Sequence, residues 1–286
     1  MLSSTLTLTL RQRFLADFAT HTTGLTYALL KAPAGPLTTL SPGSDLDLVI
    51  QRTELPDWER RLTQLPGLAR ASFCRLGHGT YVQLFFEDHS YLELDLLHTL
   101  RRRHLVFLDA GALLQRRQRG HLGISVADPV DSYAYVWLFF GLNGAAVPDT
   151  YRQWRQNQPS AVQAAIRSEL AARFGLPEDR AWIDYPETVL ARVLPVLKAM
   201  PQNRGLAGWK QRLSALRSHW QKAEPVITFS GVDGAGKSTL LAAFQEMLTK
   251  KYRRRVVVIR HRPSMLPILS AWRYGKAEAE AKARHT

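Results

Sequence analysis

A glycine-rich stretch near the end of the chain carries the residue types needed to hold a phosphate group. It reads GVDGAGKS from Gly231 to Ser238, and it fits G-x-x-x-x-G-K-[ST] at every fixed position. Glycines let successive backbone N–H groups converge on an anion at the positive end of a following helix. Lys237 would neutralise the β- and γ-phosphates, and the Ser238 hydroxyl would bind Mg²⁺. The pattern thus predicts ATP and Mg²⁺ as cofactors, with the nucleotide held by Gly231, Gly234, Ala235, Gly236, Lys237, Ser238 and Thr239.

Three carboxylates in the first hundred residues form a second candidate site. Asp45 and Asp47 lie two apart in DLDLVI, so both side chains would face the same way in a β-strand. Adjacent carboxylates repel each other unless a cation lies between them, and Mg²⁺ prefers such oxygen ligands. Asp95, in YLELDLLHT, would add a third carboxylate from a neighbouring strand. The pattern predicts metal binding by Asp45 and Asp47, with an ordinary exposed strand start as the alternative.

The elements that must position these residues can be read from the apolar pattern. Short alternating runs bounded by turns predict strands over LTYALLKA, DLDLVIQR, TYVQLFFE and YLELDLLHT. Helical spacing and end signals then predict helices over DPVDSYAYVWLFFGL, PSAVQAAIRSELAARFG, PETVLARVLPVLKAM and GLAGWKQRLSALRSHWQK. Around the phosphate loop, VITFS and VVVI predict two strands, with a helix between them. The tryptophans of the helical region, such as Trp182 and Trp209, are expected to pack in the core or at its rim.

The stretch GVDGAGKST resembles the phosphate loop of the thymidylate kinase family of P-loop kinases. The resemblance implies ATP-dependent phosphoryl transfer to a nucleoside monophosphate such as thymidylate, or to a related small phosphorylated acceptor. In that role Asp233 would hold the acceptor's sugar hydroxyl, and Lys237 would act with it in catalysis. The residues after Thr239 are too few to supply the further strands, base pocket and lid of that family. We therefore expect an incomplete kinase domain that binds nucleotide phosphate weakly at most.

The two acidic segments resemble nucleotidyltransferases of the DNA polymerase β type, in which Asp-x-Asp on one strand is joined by an Asp on a later strand. The resemblance implies that Asp45 and Asp47 hold the metals and the triphosphate, while Asp95 activates the attacking hydroxyl as a general base. This gives an alternative function, the Mg²⁺-dependent transfer of a nucleoside monophosphate group to a hydroxyl acceptor. A third alternative is a nucleotide-binding module without catalysis.

These patterns together predict an α/β protein with three parts. Residues 1–127 would form an α+β nucleotidyltransferase-like domain, residues 128–222 a helical domain, and residues 223–286 a partial P-loop α/β unit. The expected partners are a nucleotide and a small phosphorylated acceptor, and the sequence leaves the oligomeric state open.

Composition narrows the class of protein further. The chain has 286 residues, of which 45% are hydrophobic, and no uninterrupted apolar run long enough for a membrane span. A single cysteine, Cys74, excludes an internal disulfide and favours a reducing cytoplasm. The net charge is +14, and residues 223–286 carry 12 Lys and Arg against 5 Asp and Glu. This basic excess favours small phosphorylated ligands, with nucleic acid as the alternative.

Overall fold

The computed structural model of the chain describes residues 8–31, 35–102, 104–177, 181–221, 227–229, 235–248 and 256–258. The chain forms two compact units, Met1–Pro225 and Val226–Thr286. The predicted α/β fold class is confirmed, because a mixed sheet and many helices are both present. The predicted boundary near residue 127 falls inside the first unit and stays a prediction.

The first unit is built on a seven-stranded mixed sheet. The strands of the first unit are β1 (Tyr27–Leu29), β2 (Asp45–Ile50), β3 (Leu68–Leu76), β4 (Gly79–Phe86), β5 (Tyr91–Leu97), β6 (Leu100–Arg102), β7 (Leu105–Leu108), β8 (Gln118–Arg119) and β9 (Ser125–Val126). The sheet order is β3-β4-β5-β2-β1-β9-β8, and β6 and β7 form a separate hairpin. All four predicted strands of this unit are confirmed, since they coincide with β1, β2, β4 and β5.

The pairing at the centre of this sheet decides which side chains meet. β2 runs parallel to β5 and antiparallel to β1, while β3, β4 and β5 form an antiparallel meander. The register places Asp45 opposite Glu93 and Asp47 opposite Asp95. Because residues two apart share a face, one face of the sheet carries all four carboxylates.

Helices cover both faces of the sheet. The helices of the first unit are α1 (Leu10–Ala16), α2 (Phe18–His21), α3 (Leu55–Thr63), α4 (Ala110–Arg116), α5 (Pro129–Gly141), α6 (Asp149–Gln156), α7 (Ser160–Phe174), α8 (Leu190–Ala199) and α9 (Gly205–Gln221). The second unit contains α10 (Lys237–Glu246). Short 3-10 turns cover Leu37–Thr39, Arg52–Glu54, His121–Gly123, Ala181–Ile183, Pro186–Val189 and Pro201–Asn203. The four helices predicted between residues 128 and 222 are confirmed as α5, α7, α8 and α9.

Two apolar cores lie on opposite faces of the sheet. One contains Leu46, Leu48 and Trp58, and it packs α1 and α3 against the sheet. The other contains Val49 and Leu97 and joins the sheet to the helices that follow it. The second core therefore lies on the same strand face as the carboxylates, further along β2 and β5. This core covers one end of that face. The carboxylates lie next to it, at the other end.

Helix α5 belongs to this second core, and its sequence explains why the helix forms there. Asp128 caps the helix, because its Oδ1 accepts a hydrogen bond from the Val130 N–H at 2.8 Å, and Pro129 takes the first helical position. The helix is apolar on most sides and nearly all of it is buried. The hydroxyl of Tyr133 satisfies its hydrogen bond by donating to the Ile183 carbonyl at 3.0 Å.

In the second unit the prediction is met only in part. The predicted helix is confirmed as α10. The predicted strands VITFS and VVVI are not found over residues 227–229 and 256–258, which have no regular structure. A strand needs a hydrogen-bonded neighbour, and within the described ranges neither segment pairs with another strand. Phe229 instead packs its ring against Phe244 of α10, with 5.7 Å between ring centroids.

Among the residues that the structure describes, no helix is both long enough and apolar enough to cross a bilayer.

Candidate functional site

Three carboxylates come together at one end of the central sheet face. One carboxylate oxygen each from Asp45, Asp47 and Asp95 lie within 4.8 Å of one another. Asp47 is buried and the other two are half-buried. The structure therefore brings together all three acidic residues that the sequence singled out, and it does so through the parallel register of β2 and β5.

The strands hold these side chains through their own packing. The alternate residues of β2, Leu46, Leu48 and Ile50, are buried in the opposite core. The same alternation in β5 buries Leu94 and Leu96 beneath the acidic face. A one-residue slip of either strand would turn apolar side chains to the surface, so the core fixes the register that aligns the carboxylates.

The electrostatics of the cluster are unfavourable for three negative charges. Burial raises the pKa of Asp95 most, and the Asp47, Asp45 and Glu93 carboxylates raise it further, to about 9, against the lowering effect of Lys31. Asp95 is therefore protonated at neutral pH when no other cation is nearby. A bound divalent cation would favour the ionised form of Asp95, so binding of the cation would release the Asp95 proton.

Lys31 supplies a positive charge that directly contacts this cluster. Its ammonium group forms an ion pair with Asp47 Oδ2 and lies near the Tyr151 hydroxyl. Burial alone would lower the pKa of Lys31, but the Asp47 carboxylate and the other anionic groups raise it, so the residue stays charged. Sequence reasoning missed Lys31. The available signal was a lone lysine two residues beyond β1, the strand that pairs with β2.

Tyrosine hydroxyls surround the carboxylates as well. Tyr81 on β4 lies opposite Asp95 in the sheet register. Burial first, and then Asp95 and Asp47, raise the pKa of Tyr81, and the same three influences raise that of Tyr135 on α5. Both hydroxyls therefore keep their protons and can donate hydrogen bonds. These residues also escaped the sequence analysis, because a tyrosine in an apolar run indicates only packing.

The donor set fits a hard divalent cation. Three carboxylates supply oxygen ligands only, which suits Mg²⁺ or Mn²⁺ rather than a metal that prefers thiolate or imidazole. The raised pKa of Asp95 and the ion pair of Lys31 both indicate a local excess of negative charge. The arrangement therefore offers oxygen ligands to a divalent cation, and an ionised Asp95 could accept a proton beside them.

The candidate phosphate site lies in the second unit and is described in part. Gly231, Asp233 and Gly234 fall outside the described residues, so their predicted roles stay predictions. Ala235 is exposed, and Gly236 has a positive φ of 73° immediately before α10 begins. Lys237, Ser238 and Thr239 form the first turn of that helix, with Lys237 half-buried and the two hydroxyl residues exposed.

Comparison of the chain with known proteins yields no relative. No protein-family model matches it, and neither a curated protein nor a solved structure does. Function is therefore inferred from the arrangement of side chains in the chain itself.

Proposed function

We propose that the first unit is a Mg²⁺-dependent nucleotidyltransferase, which moves a nucleoside monophosphate group from a nucleoside triphosphate to a hydroxyl acceptor. The observation that carries this proposal is the meeting of Asp45, Asp47 and Asp95 within 4.8 Å on two parallel strands. Such a cluster favours metal-dependent chemistry at phosphorus, because it concentrates oxygen ligands where a polyphosphate would bring its own negative charge.

The side chains of the cluster have separate roles in this proposal. Asp45 and Asp47 would hold the ion, which when bound neutralises the triphosphate and orients it for in-line displacement. The acceptor oxygen forms a bond to the α-phosphorus, the bond between the α-phosphorus and the bridging oxygen breaks, and pyrophosphate leaves. The hydroxyl proton passes to the Asp95 carboxylate.

Lys31 and Tyr81 would assist without taking part in proton transfer. The ammonium group of Lys31 already compensates Asp47, and it would contribute positive charge next to the triphosphate. Tyr81 keeps its proton and lies beside Asp95 on the neighbouring strand, and its hydroxyl is hydrogen-bonded with His78 Nε2 at 3.1 Å. This contact would hold the hydroxyl in place to orient the acceptor. Both are positioning residues in this mechanism.

The proposal is tested by following which phosphate of ATP is transferred to the acceptor. The full chain would be incubated with Mg²⁺, a panel of monosaccharide, aminoglycoside and protein acceptors, and ATP labelled at either the α- or the γ-phosphate. Transfer of the α label, with release of pyrophosphate, is the expected result. Asp95→Asn should abolish the transfer. Asp57→Asn should leave it unchanged, because Asp57 pairs with Arg60 on α3, which packs on the opposite face of the sheet. Transfer of the γ label alone would refute nucleotidyl transfer.

A second function is proposed for residues 226–286, the binding of ATP phosphate and phosphoryl transfer to a nucleoside monophosphate or related small acceptor. It is supported by the positive φ of Gly236 directly before the helix that begins with Lys237. That conformation suits glycine, and the first N–H groups of α10 have no acceptor within the helix. Here Asp233 and Lys237 would act in catalysis, with Ser238 on Mg²⁺. The labelled-ATP assay separates this activity, because a kinase moves the γ label.

Nucleotide binding without catalysis is the remaining alternative. It would be supported if neither label moved while ATP still raised the melting temperature of the chain.

A further inference from the structure

Helix α9 presents an apolar stripe to solvent. Leu206, Trp209, Leu213 and Leu216 are 84%, 62%, 50% and 59% exposed. Their spacing of three, four and three residues is that of the a and d positions of a heptad. At 100° per residue the four side chains occupy an arc of about 80° on the helix surface. The sequence analysis expected Trp209 to pack in the core or at its rim, and this prediction is wrong.

The opposite side of the same helix packs, through small and polar residues, against the rest of the first unit. Gly208 is buried, and a β-carbon there would lie 2.3 Å from the Asn203 carbonyl oxygen. The Gln211 carbonyl accepts a hydrogen bond from Arg101 Nη1 at 3.2 Å. This packed side lies roughly 150° from the centre of the apolar stripe. The helix is thus anchored by its polar side and turns its apolar side outward, the reverse of an ordinary surface helix.

Cations flank the stripe on both edges. Lys210 and Arg212 are exposed, and each projects about 40° beyond one edge of the stripe. In heptad terms they are the e and g positions, which set the choice of partner in paired helices. A second copy of this chain would bring cations against cations at these positions. The flanks therefore disfavour self-association and complement an acidic partner.

The width of the stripe distinguishes a helical partner from a lipid surface. Helices that lie in a bilayer interface bury a broad apolar face, with the polar residues confined to the other side. An arc of about 80° with cations close to both edges has instead the dimensions of a seam between two helices.

We propose that α9 is a docking surface for an amphipathic α-helix of a partner protein, with apolar residues in heptad spacing flanked by Asp or Glu. The apolar positions would interdigitate with the stripe formed by Leu206, Trp209, Leu213 and Leu216. The acidic flanks would pair with Lys210 and Arg212. Trp209 is the expected centre of the binding energy, since large exposed aromatic residues that become buried dominate such contacts.

The test uses the full chain and a designed probe. A fluorescein-labelled peptide of about three heptads, with Leu at a and d and Glu at e and g, is titrated with the protein and followed by anisotropy. The matched control peptide has Lys in place of Glu. We expect the acidic peptide to bind at least about tenfold more tightly than the basic one. Equal binding of the two peptides, or no binding of the acidic one, would overturn the proposal.

Variants then locate the binding surface. Trp209→Ala should raise the Kd of the acidic peptide at least about tenfold, whereas Leu122→Ala, at a side chain of matching 61% exposure, should not. Lys210→Glu combined with Arg212→Glu should reverse the preference in favour of the basic peptide, and Lys198→Glu on α8 should leave the preference unchanged. All these side chains are exposed, and unchanged circular dichroism would confirm that the variants fold.

Three further outcomes would reject a partner helix as the occupant. The first is a dimer of the free chain, seen by light scattering, that Trp209→Ala dissociates. The second is binding to phosphatidylcholine–phosphatidylserine vesicles that depends on Trp209 and exceeds binding to the peptide. The third is a Leu213→Cys thiol, in a Cys74→Ser background, that fails to react in the native chain, because the stripe would then be covered already.

Discussion

Asp47 on β2 and Asp95 on β5 lie opposite each other in the register of two parallel strands. Asp45 joins them from the same face of β2, and the ligand atoms of the three lie within 4.8 Å. The Lys31 ammonium contacts Asp47 directly and compensates part of this negative charge. This relationship between two strands is the observation on which the function proposed for the first unit depends.

The first prediction is that the cluster binds a divalent cation. Calorimetric titration of the metal-free chain with Mn²⁺ or Mg²⁺ should show one site that Asp47→Asn weakens at least about tenfold, because a charged oxygen ligand is lost. Asp57→Asn, whose carboxylate pairs with Arg60 on α3, is the matched control and should bind as the wild type does. Equal affinity in Asp47→Asn and wild type would contradict the site.

The second prediction concerns pH. The pKa of Asp95 is raised to about 9 in the folded chain, above an unfolded value of roughly 4, so the folded state holds this proton more tightly. The unfolded state releases the proton first as pH rises, and stability should therefore fall between about pH 4 and pH 9 in the absence of metal.

Asp95→Asn should remove that part of the pH dependence. At pH 7 in EDTA it should raise the free energy of unfolding by on the order of 2 kcal/mol, since a neutral amide replaces a group that burial and neighbouring carboxylates disfavour as an anion. Urea unfolding of both chains across this pH range would measure the difference. A variant that is less stable than wild type at pH 7 would contradict the raised pKa.

Sequence reasoning could predict this cluster because strand alternation and the Asp-x-Asp spacing are local properties. Asp45 and Asp47 share a face in any β-strand, and Asp95 was recognised from its own strand. Lys31 could not be predicted in the same way, because its contact with Asp47 depends on β1 pairing beside β2. Trp209 was misjudged for a similar reason. The helical period locates a stripe on α9, but only tertiary packing determines which side of the helix faces the protein.

The third prediction concerns Lys31. Lys31→Met leaves the buried Asp47 carboxylate without its ion-pair partner, and it should cost about 3 kcal/mol of stability in EDTA. Saturating Mg²⁺ should recover most of the loss, because the metal supplies the missing positive charge. Lys31→Arg is the charge-preserving control. Combining Lys31→Met with Asp47→Asn should be less destabilising than Lys31→Met alone, and simple additivity of the two changes would argue against the pair.

The fourth prediction tests the strand register that aligns the site. A β-carbon at Gly79 on β4 would lie 2.5 Å from the Leu96 carbonyl oxygen of β5, so Gly79→Ala must push the two strands apart. We expect a loss of about 2 kcal/mol and weaker Mn²⁺ binding, since β5 carries Asp95. Gly43→Ala, where a β-carbon would meet nothing within 4 Å, should change stability by less than about 0.5 kcal/mol. Equal melting temperatures for the two variants would contradict the close approach.

The fifth prediction concerns the second unit, where Gly236 ends the phosphate loop in a left-handed conformation and Lys237 begins α10. If these residues hold the phosphates of ATP, nucleotide should raise the melting temperature of the chain, and Lys237→Ala should abolish the shift because the charge on the phosphates is then uncompensated. Lys198→Ala, at an exposed lysine of α8, controls for the loss of one positive charge.

Asp95→Asn should leave a shift produced by the phosphate loop intact, whereas it should change one produced at the acidic cluster. Thermal unfolding of the four chains with and without ATP and Mg²⁺ therefore assigns nucleotide binding to one unit or the other. A shift of the same size in wild type and Lys237→Ala would exclude the phosphate loop as its source.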